Sequence, residues 1–425
     1  MNPEVQETNE IIKSENPAVF EMLSTLGRTL YFPKREILTQ GKEAKGTEIN
    51  ATVGIGLEDD GSPISLDSIR KLINIEPKDA FPYVDMFGKQ ELRDKWKKLI
   101  QEKNPSLKSQ FSIPIVTNGI TQGLYISSNL FINKGEIILS PDVYWSNYSA
   151  VFESMGGGEI ETFNTFRDGG FDLDSMQKAL AEKNPKILLL NMPNNPSGYT
   201  FTKVEAQKFV GIISEYTKTN KLVLLLDDAY FGLNYENEII QESLFGLVAN
   251  LSENLLTIKC DGATKEEYVW GFRVGFITFA GKGLDKSLTA LEEKAAGAIR
   301  GEISNVSHLS QSLILEGLKS ESHDSEKKEK YELLKSRYEE VKRIVSDDRF
   351  SDVFRPLPFN SGYFMCIELK EGYDADQIRV RLIEEYSTGV VSADRRIIRI
   401  AFSSVAEKKL SKLFDNIYEC AKSFD

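Results

Sequence analysis

Between about residues 110 and 280, short apolar runs recur with amphipathic stretches between them: "IPIVTNG", "GEIILSPD", "PKILLLNMP", "KLVLLLDDAY", "NLLTIKCDG" and "FRVGFITFA". A run of four to six apolar residues without polar alternation has to be covered on both faces. A chain that alternates such runs with helices achieves this as a mostly parallel sheet between two helical layers. The pattern predicts a doubly wound α/β domain.

At 425 residues the chain exceeds one ordinary core, so a second unit is expected. The segments "SGYFMCIELK" and "RRIIRIAFSS" read as strands of a smaller α+β domain that ends in a helix at "EKKLSKLFDNIYECAK". Before them, "KSESHDSEKKEKYELLKSRYEEVKRIV" sets Tyr331, Leu334, Tyr338 and Val341 at steps of 3, 4 and 3. That spacing predicts one apolar stripe on a connecting helix whose charges face water. The expected organisation is an N-terminal arm contributing to the small domain (1–60), a large domain (61–315), then the interdomain helix and small C-terminal domain (316–425).

The formal net charge of −12 argues against nucleic acid or an anionic membrane surface as partner, because both need clustered cations. Cys260, Cys366 and Cys420 are odd in number, widely spaced and without a CxxC pair, so neither a disulfide framework nor a metal cluster is expected. A reducing cytoplasm fits best. His308 and His323 are the two histidines and read as ordinary surface or core residues.

Open α/β sheets bind ligands at their strand ends, and here several ends carry polar groups. In "TNGITQGL" a glycine starts a helix, so Gly119 allows a tight turn while the N–H groups of Ile120 and Thr121 face an anion. The turn "NNPSG" fixes Asn195, and "LVLLLDDAY" ends a buried strand on Asp227 and Asp228, followed by Tyr230. A carboxylate there requires a cation or a strong donor. Lys265 follows another strand, and Arg273 lies eight residues further on. A lysine partly removed from water beside a second cation becomes a nucleophilic amine, while an arginine fork suits a phosphate. Tyr144 and Trp145 offer flat faces to a planar ring. The set fits pyridoxal phosphate: an aldehyde for Lys265, a ring nitrogen for Asp227 and a phosphate for the helix end and Arg273.

The order Tyr83, Gly119, Trp145, Asn195, Asp227, Tyr230, Lys265, Arg273, Arg399, with N-P-[ST]-G, D-x-A-Y and K-x₇-R-x-G between, resembles the fold-type I pyridoxal-phosphate aminotransferases of class I/II, aspartate aminotransferase-like. The likeness runs from "INATVGIG" to "RIAF" and implies a seven-stranded-type sheet in the large domain. It implies that Lys265 holds the cofactor covalently and later carries the substrate proton, and that Asp227 keeps the ring nitrogen protonated. Asn195 and Tyr230 would donate to the ring's phenolic oxygen, with Trp145 stacked on the ring. Gly119, Ile120, Thr121 and Arg273 would seat the phosphate, helped by Tyr83 from a second subunit, so a homodimer with shared active sites is implied. Arg399 would bind the substrate α-carboxylate beside Gly54 and Asn195. Arg300 in "AIRGEISN" resembles the arginine that a neighbouring subunit supplies to a distal carboxylate. The implied reaction moves an amino group between an L-amino acid, aspartate or glutamate or else an aromatic one, and a 2-oxo acid by a ping-pong mechanism.

Two positions depart from the pattern. Gly262 stands where the family usually carries a phosphate-binding serine, which implies either weaker phosphate anchoring or compensation by Thr264 or a water. Tyr148 stands where aspartate enzymes often have histidine. A C–S lyase or decarboxylase of the same fold uses the same cofactor geometry and is the alternative enzyme. A ligand-binding regulator would need a basic DNA-binding module that this chain does not display.

Overall fold

The β-branched and leucine-rich runs form the centre of a seven-stranded sheet in the computed structural model, which describes residues 3–15, 17–30, 37–73, 75–284 and 286–424. Its strands are β1 (Ile115–Asn118), β2 (Ile137–Pro141), β3 (Glu159–Phe163), β4 (Ile187–Asn191), β5 (Leu222–Asp227), β6 (Leu255–Gly262) and β7 (Val274–Ala280), in the spatial order β1-β7-β6-β5-β4-β2-β3. All neighbours run parallel except β7, which is antiparallel to both β1 and β6. Every residue of β4 and β5 is buried, as their unalternated composition requires. β3, which the apolar-run criterion passed over, lies at the sheet edge and carries the half-exposed pattern of "EIETF".

Helices start where the local chemistry dictates. Thr202 and Glu205 make a reciprocal capping box at the helix Lys203–Tyr216, and Asp172 caps Leu173–Lys183. Two helices bear directly on the site: α1 (Gln90–Lys103), whose Trp96 stacks on Phe276 of β7 at 4.2 Å, and α2 (Ile120–Phe131), which packs on β1, β6 and β7. Next along the chain come α3 (Ser287–Glu302) and the long α4 (His323–Val345).

A second, antiparallel sheet has the order β8-β9-β11-β10, with β8 Phe354–Pro356, β9 Met365–Leu369, β10 Val391–Asp394 and β11 Ile397–Ile400. Ile49–Asn50 pairs with Thr388–Gly389, and Gln40 exchanges hydrogen bonds with Ser392, so residues 40–50 fold onto this second unit.

The apolar stripe of α4 is as the spacing predicts: Leu334, Tyr338 and Val341 are buried and Tyr331 partly so. The expectation that its charges all face water is corrected. His323 and Arg337 are buried, and Lys327 turns inward, because buried carboxylates and carbonyls of other segments accept their protons. A periodicity of apolar residues cannot report partners that lie elsewhere in the chain. Among the described residues no helix is long and apolar enough to cross a membrane.

Candidate active site

The strand order brings separate stretches of sequence to one sheet edge. β1, β4, β5 and β6 finish there on Asn118, Asn191, Asp227 and Gly262, and β7 begins there because it runs the other way. Pairing of Val274 with Asn118 and of Gly275 with Gly262 therefore sets Arg273 beside the start of α2 and the Lys265 turn. A cavity of about 450 Å³ opens at this edge, lined by Gly54, Ile120, Thr121, Trp145, Asn195, Asp227, Tyr230, Thr264, Lys265, Arg273 and Arg399. Sequence reasoning named these eleven; Ser146, Asn147, Asn191, Ala229 and Phe364 complete the lining and were not singled out. A larger adjoining cavity of about 590 Å³ is lined by Asp142, Tyr144, Ser146 and Asp394 among others, with no lysine, arginine or histidine among the described residues of its wall. The concentration of cations singles out the smaller cavity.

Asp227 is 3% exposed. Burial raises its pKa, and a 2.7 Å hydrogen bond from the Tyr148 hydroxyl to Oδ2 opposes that rise, assisted by Lys265 and the Ala229 N–H. Tyr148, the departure from histidine, therefore supplies the strong donor that a buried carboxylate requires. Its own hydroxyl is pushed well above the ordinary phenol range by burial and by Asp227, so it stays a donor. Asn191, which closes β4, donates to the Asp227 backbone carbonyl at 2.6 Å and accepts the Asn195 N–H at 2.6 Å. This residue was missed, although a lone amide ending the apolar run "ILLLN" was the available signal.

Lys265 projects from the one-turn helix Ala263–Glu266, with its Nζ 4.9 Å from the Tyr230 ring centroid. Burial lowers its pKa to about 8, Arg273 adding to the fall and Asp227 opposing it. Arg273 adopts the left-handed conformation at φ 55°, uncommon for a residue with a side chain, and makes no ion pair among the described residues. Its guanidinium lies against Gly119, where a Cβ would come within 2.4 Å of Nη2. Gly119 also needs its φ of 73°, so the start of α2 and the arginine close on one another only around glycine.

Gly262 has a similar explanation. A Cβ there would stand 2.7 Å from the Cα of Gly275 and 2.8 Å from the Val274 carbonyl, so the approach of β6 to β7 leaves no room for the serine the family usually carries. Thr264 lines the cavity, its hydroxyl 3.5 Å from that same carbonyl.

Arg399, on β11, is 2% exposed. Its Nη2 donates to the Thr52 carbonyl at 2.8 Å and its Nη1 to Asn195 Oδ1 at 3.3 Å, its guanidinium carbon sits 4.4 Å from the Phe364 ring centroid, and its Nε has no hydrogen-bond partner among the described residues. A buried guanidinium held by neutral acceptors and facing a cavity is a seat for a carboxylate. Tyr230 packs edge-on against Tyr363 and Phe364, and burial raises its pKa, so the hydroxyl stays protonated.

Trp145 lines the cavity edge-on to Tyr148, whereas Tyr144 faces the adjoining one. Tyr83 and Arg300 lie outside their own chain's cavity. Tyr83 is 92% exposed, and Arg300 is exposed at the end of α3, donating to Ser304 at 2.9 Å. Asp228 points away from the cavity and pairs with the buried Lys259 rather than a surface lysine.

The family described as aminotransferase class I and II matches residues 49–417, nearly the whole chain. The chain belongs to the class I and II aminotransferases. These are enzymes dependent on pyridoxal phosphate. An aspartate aminotransferase of Sulfurisphaera tokodaii is 27% identical over 313 residues, 71% of either chain. A tyrosine aminotransferase of Bos taurus is 27% identical over 190 residues, 43% of this chain and 40% of that one. Among solved structures, an aminotransferase of Anaerococcus prevotii superposes with a TM-score of 0.83 at 22% identity, covering 94% of this chain and 99% of that one. A kynurenine aminotransferase of Pyrococcus horikoshii gives 0.79 at 17% identity, with 95% and 98% covered. The residues of this aminotransferase fit the cofactor: an amine of lowered pKa, a buried carboxylate with a fixed donor, and an arginine without an ionic partner at a helix start shaped by glycine.

Proposed function

We propose that this aminotransferase moves an amino group between aspartate or glutamate and a 2-oxo acid by a ping-pong mechanism. The observation that carries the amino-acid reading is Arg399: a buried guanidinium whose Nε is unpaired among the described residues, opening on the cavity that holds Lys265. When bound, pyridoxal phosphate supplies an electrophilic carbon and an electron sink. The rest is the work of side chains. Lys265, with its pKa near 8, is the covalent anchor and takes or returns the proton at the substrate Cα. Asp227, whose ionised form the Tyr148 hydroxyl favours, would hold a proton on the ring nitrogen. Asn195 and Tyr230 would donate to the cofactor's phenolic oxygen, and Trp145 would cover its ring. The N–H groups of Ile120 and Thr121 with Arg273 hold the phosphate. Arg399 orients the α-carboxylate beside Gly54.

The preference for an acidic side chain rests on Arg300, reaching from a second copy, as Tyr83 would toward the phosphate. The near-complete exposure of Phe81 and Tyr83 supports such a homodimer. Three buried, unpaired thiols support a reducing cytoplasm.

Lys265→Ala tests the assignment: transamination and the visible absorbance of the bound cofactor both disappear, and unchanged turnover overturns it. Single-turnover spectra with aspartate, glutamate, tyrosine and alanine test the substrate. Arg300→Ala loses aspartate but keeps alanine, and equal loss of both removes the distal-carboxylate role.

A further inference from the structure

The two residues after Lys265 are both acidic and both buried, yet neither lines the cavity. Glu266 accepts hydrogen bonds from Lys103 of α1 and from Lys327 of α4, the latter at 3.1 Å. Glu267, 0% exposed, accepts from Lys327 at 2.8 Å and meets His323 Nε2 at 2.6 Å, while His323 Nδ1 lies 3.0 Å from Asp324. Burial works against both carboxylates, but Lys103 and Lys327 more than offset it at Glu266, as Lys327 with His323 does at Glu267, favouring the ionised forms. Two adjacent buried carboxylates are tolerable only with such partners, so the clamp fixes where this turn of chain can lie.

That turn needs fixing from outside. The helix Ala263–Glu266 is a single turn, too short to hold its own geometry. Its other side-chain contacts to neighbouring segments are long, 3.4 Å from the Tyr363 hydroxyl to the Lys265 carbonyl and 3.5 Å from the Thr264 hydroxyl to the Val274 carbonyl. α4, in contrast, is a firm base. About 20 Å further along it, Arg337 donates to the Ser403 carbonyl at 2.6 Å and to Asp59 at 2.9 Å. Ser403 lies four residues beyond Arg399, and its hydroxyl bonds the Ile55 carbonyl next to Gly54. One helix thus joins the Lys265 turn to the segments that carry the carboxylate seat.

We infer that Glu267, clamped by His323 and Lys327, with Glu266 beside it, is a positioning residue for Lys265. The inference rests on the aminotransferase reading and on Lys265 as anchor. The groups that face the Lys265 amine itself are Asp227, Arg273 and the Tyr230 ring. The clamp acts on where the amine stands among them.

The test uses the cofactor-loaded enzyme and the variants Glu267→Gln, Lys327→Met and the two combined, with His323→Gln as an independent probe should the buried variants fold poorly. Wild type and Lys265→Ala are compared first: a cofactor band that persists in Lys265→Ala overturns the anchor assignment. With that band lost, the clamp is judged on its own. Each clamp variant is expected to lower kcat about tenfold with KM for the amino donor within about twofold. Each also moves the pH midpoint of the cofactor's visible absorbance and speeds cofactor release. Because the double variant removes one charge of each sign, it stays as slow as either single if the clamp positions, and returns toward wild type if only the local field mattered, which overturns the inference. Variants that melt earlier while keeping kcat and the spectral midpoint overturn it as well, since that is a purely structural role. Arg343→Ala, breaking an exposed pair with Glu340 near the far end of α4, serves as the control and leaves every readout unchanged.

Discussion

Replacing Tyr148 by phenylalanine deletes one hydroxyl and nothing else from the wall behind Asp227. The donor is buried, 2.7 Å from Oδ2, and bonds an ionised acceptor. Such a bond contributes about 1.5–3 kcal/mol, or about 1–2 pKa units on the carboxylate. Burial already raises the Asp227 pKa and Tyr148 opposes the rise, so the variant sends it higher. The carboxylate then loses its charge at a higher pH, and the acid limb of the activity profile moves upward by about 1–2 units. At neutral pH kcat falls by about ten- to hundredfold, the equivalent of the lost bond. Tyr148→His, which returns an N–H donor, recovers part of the loss. The measurements are kcat and cofactor affinity between pH 5 and 9, at about half-unit steps as the shift requires. A Tyr148→Phe enzyme within twofold of wild type, with its acid limb unmoved, refutes the claim that this phenol sets the charge of Asp227.

The other cavity groups make their own demands. Arg399→Lys replaces a fork by a point charge and is expected to lower kcat/KM for amino acids by about thirtyfold, close to 2 kcal/mol, with cofactor binding retained; steady-state kinetics and a cofactor titration separate the two. Gly262→Ser is expected to destabilise by about 1–3 kcal/mol and to loosen the phosphate rather than tighten it, because the added Cβ meets the Gly275 Cα at 2.7 Å. Thermal melting and the cofactor dissociation constant check both. Capture of added cofactor by the cofactor-free protein should quicken about tenfold per pH unit up to about 8 and then level off, as expected for an amine whose pKa burial has lowered. Stopped-flow absorbance follows it, and a midpoint at the ordinary lysine value of 10.5 contradicts a dry amine.

The large sheet was legible because its central strands are apolar throughout, and "ILLL" or "LVLLL" has one reading between helices. Glu159–Phe163 was not, since an edge strand with one wet face carries no continuous run. The cavity residues were legible because sheet ends gather ligands, and a lysine, an arginine and an aspartate at three such ends have few common uses. What remained hidden depends on contacts between distant segments. Nothing near Tyr148 announces that its hydroxyl meets Asp227, 79 residues away in the chain. The burial of Lys327 and His323 follows from Glu266 and Glu267, about 60 and 56 residues back, and no periodicity within α4 encodes it. Gly262 read as a missing hydroxyl, and became an excluded one only when Gly275 was found against it.

That packing extends to Gly119, since a Cβ on Gly275 would stand 2.6 Å from the Gly119 carbonyl carbon and 2.7 Å from the Ile120 nitrogen. Three glycines from three parts of the chain thus form a joint made of main chain alone. Such a joint has no side chain to trade, so it behaves as a fixed hub around which the enzyme can diversify. Ser146, Asn147 and Tyr144, after β2, line the cavities and take no part in that joint. A directed-evolution library confined to Tyr144, Ser146 and Asn147 should yield folded, cofactor-bearing enzymes at high frequency, and one that includes the three glycines should not.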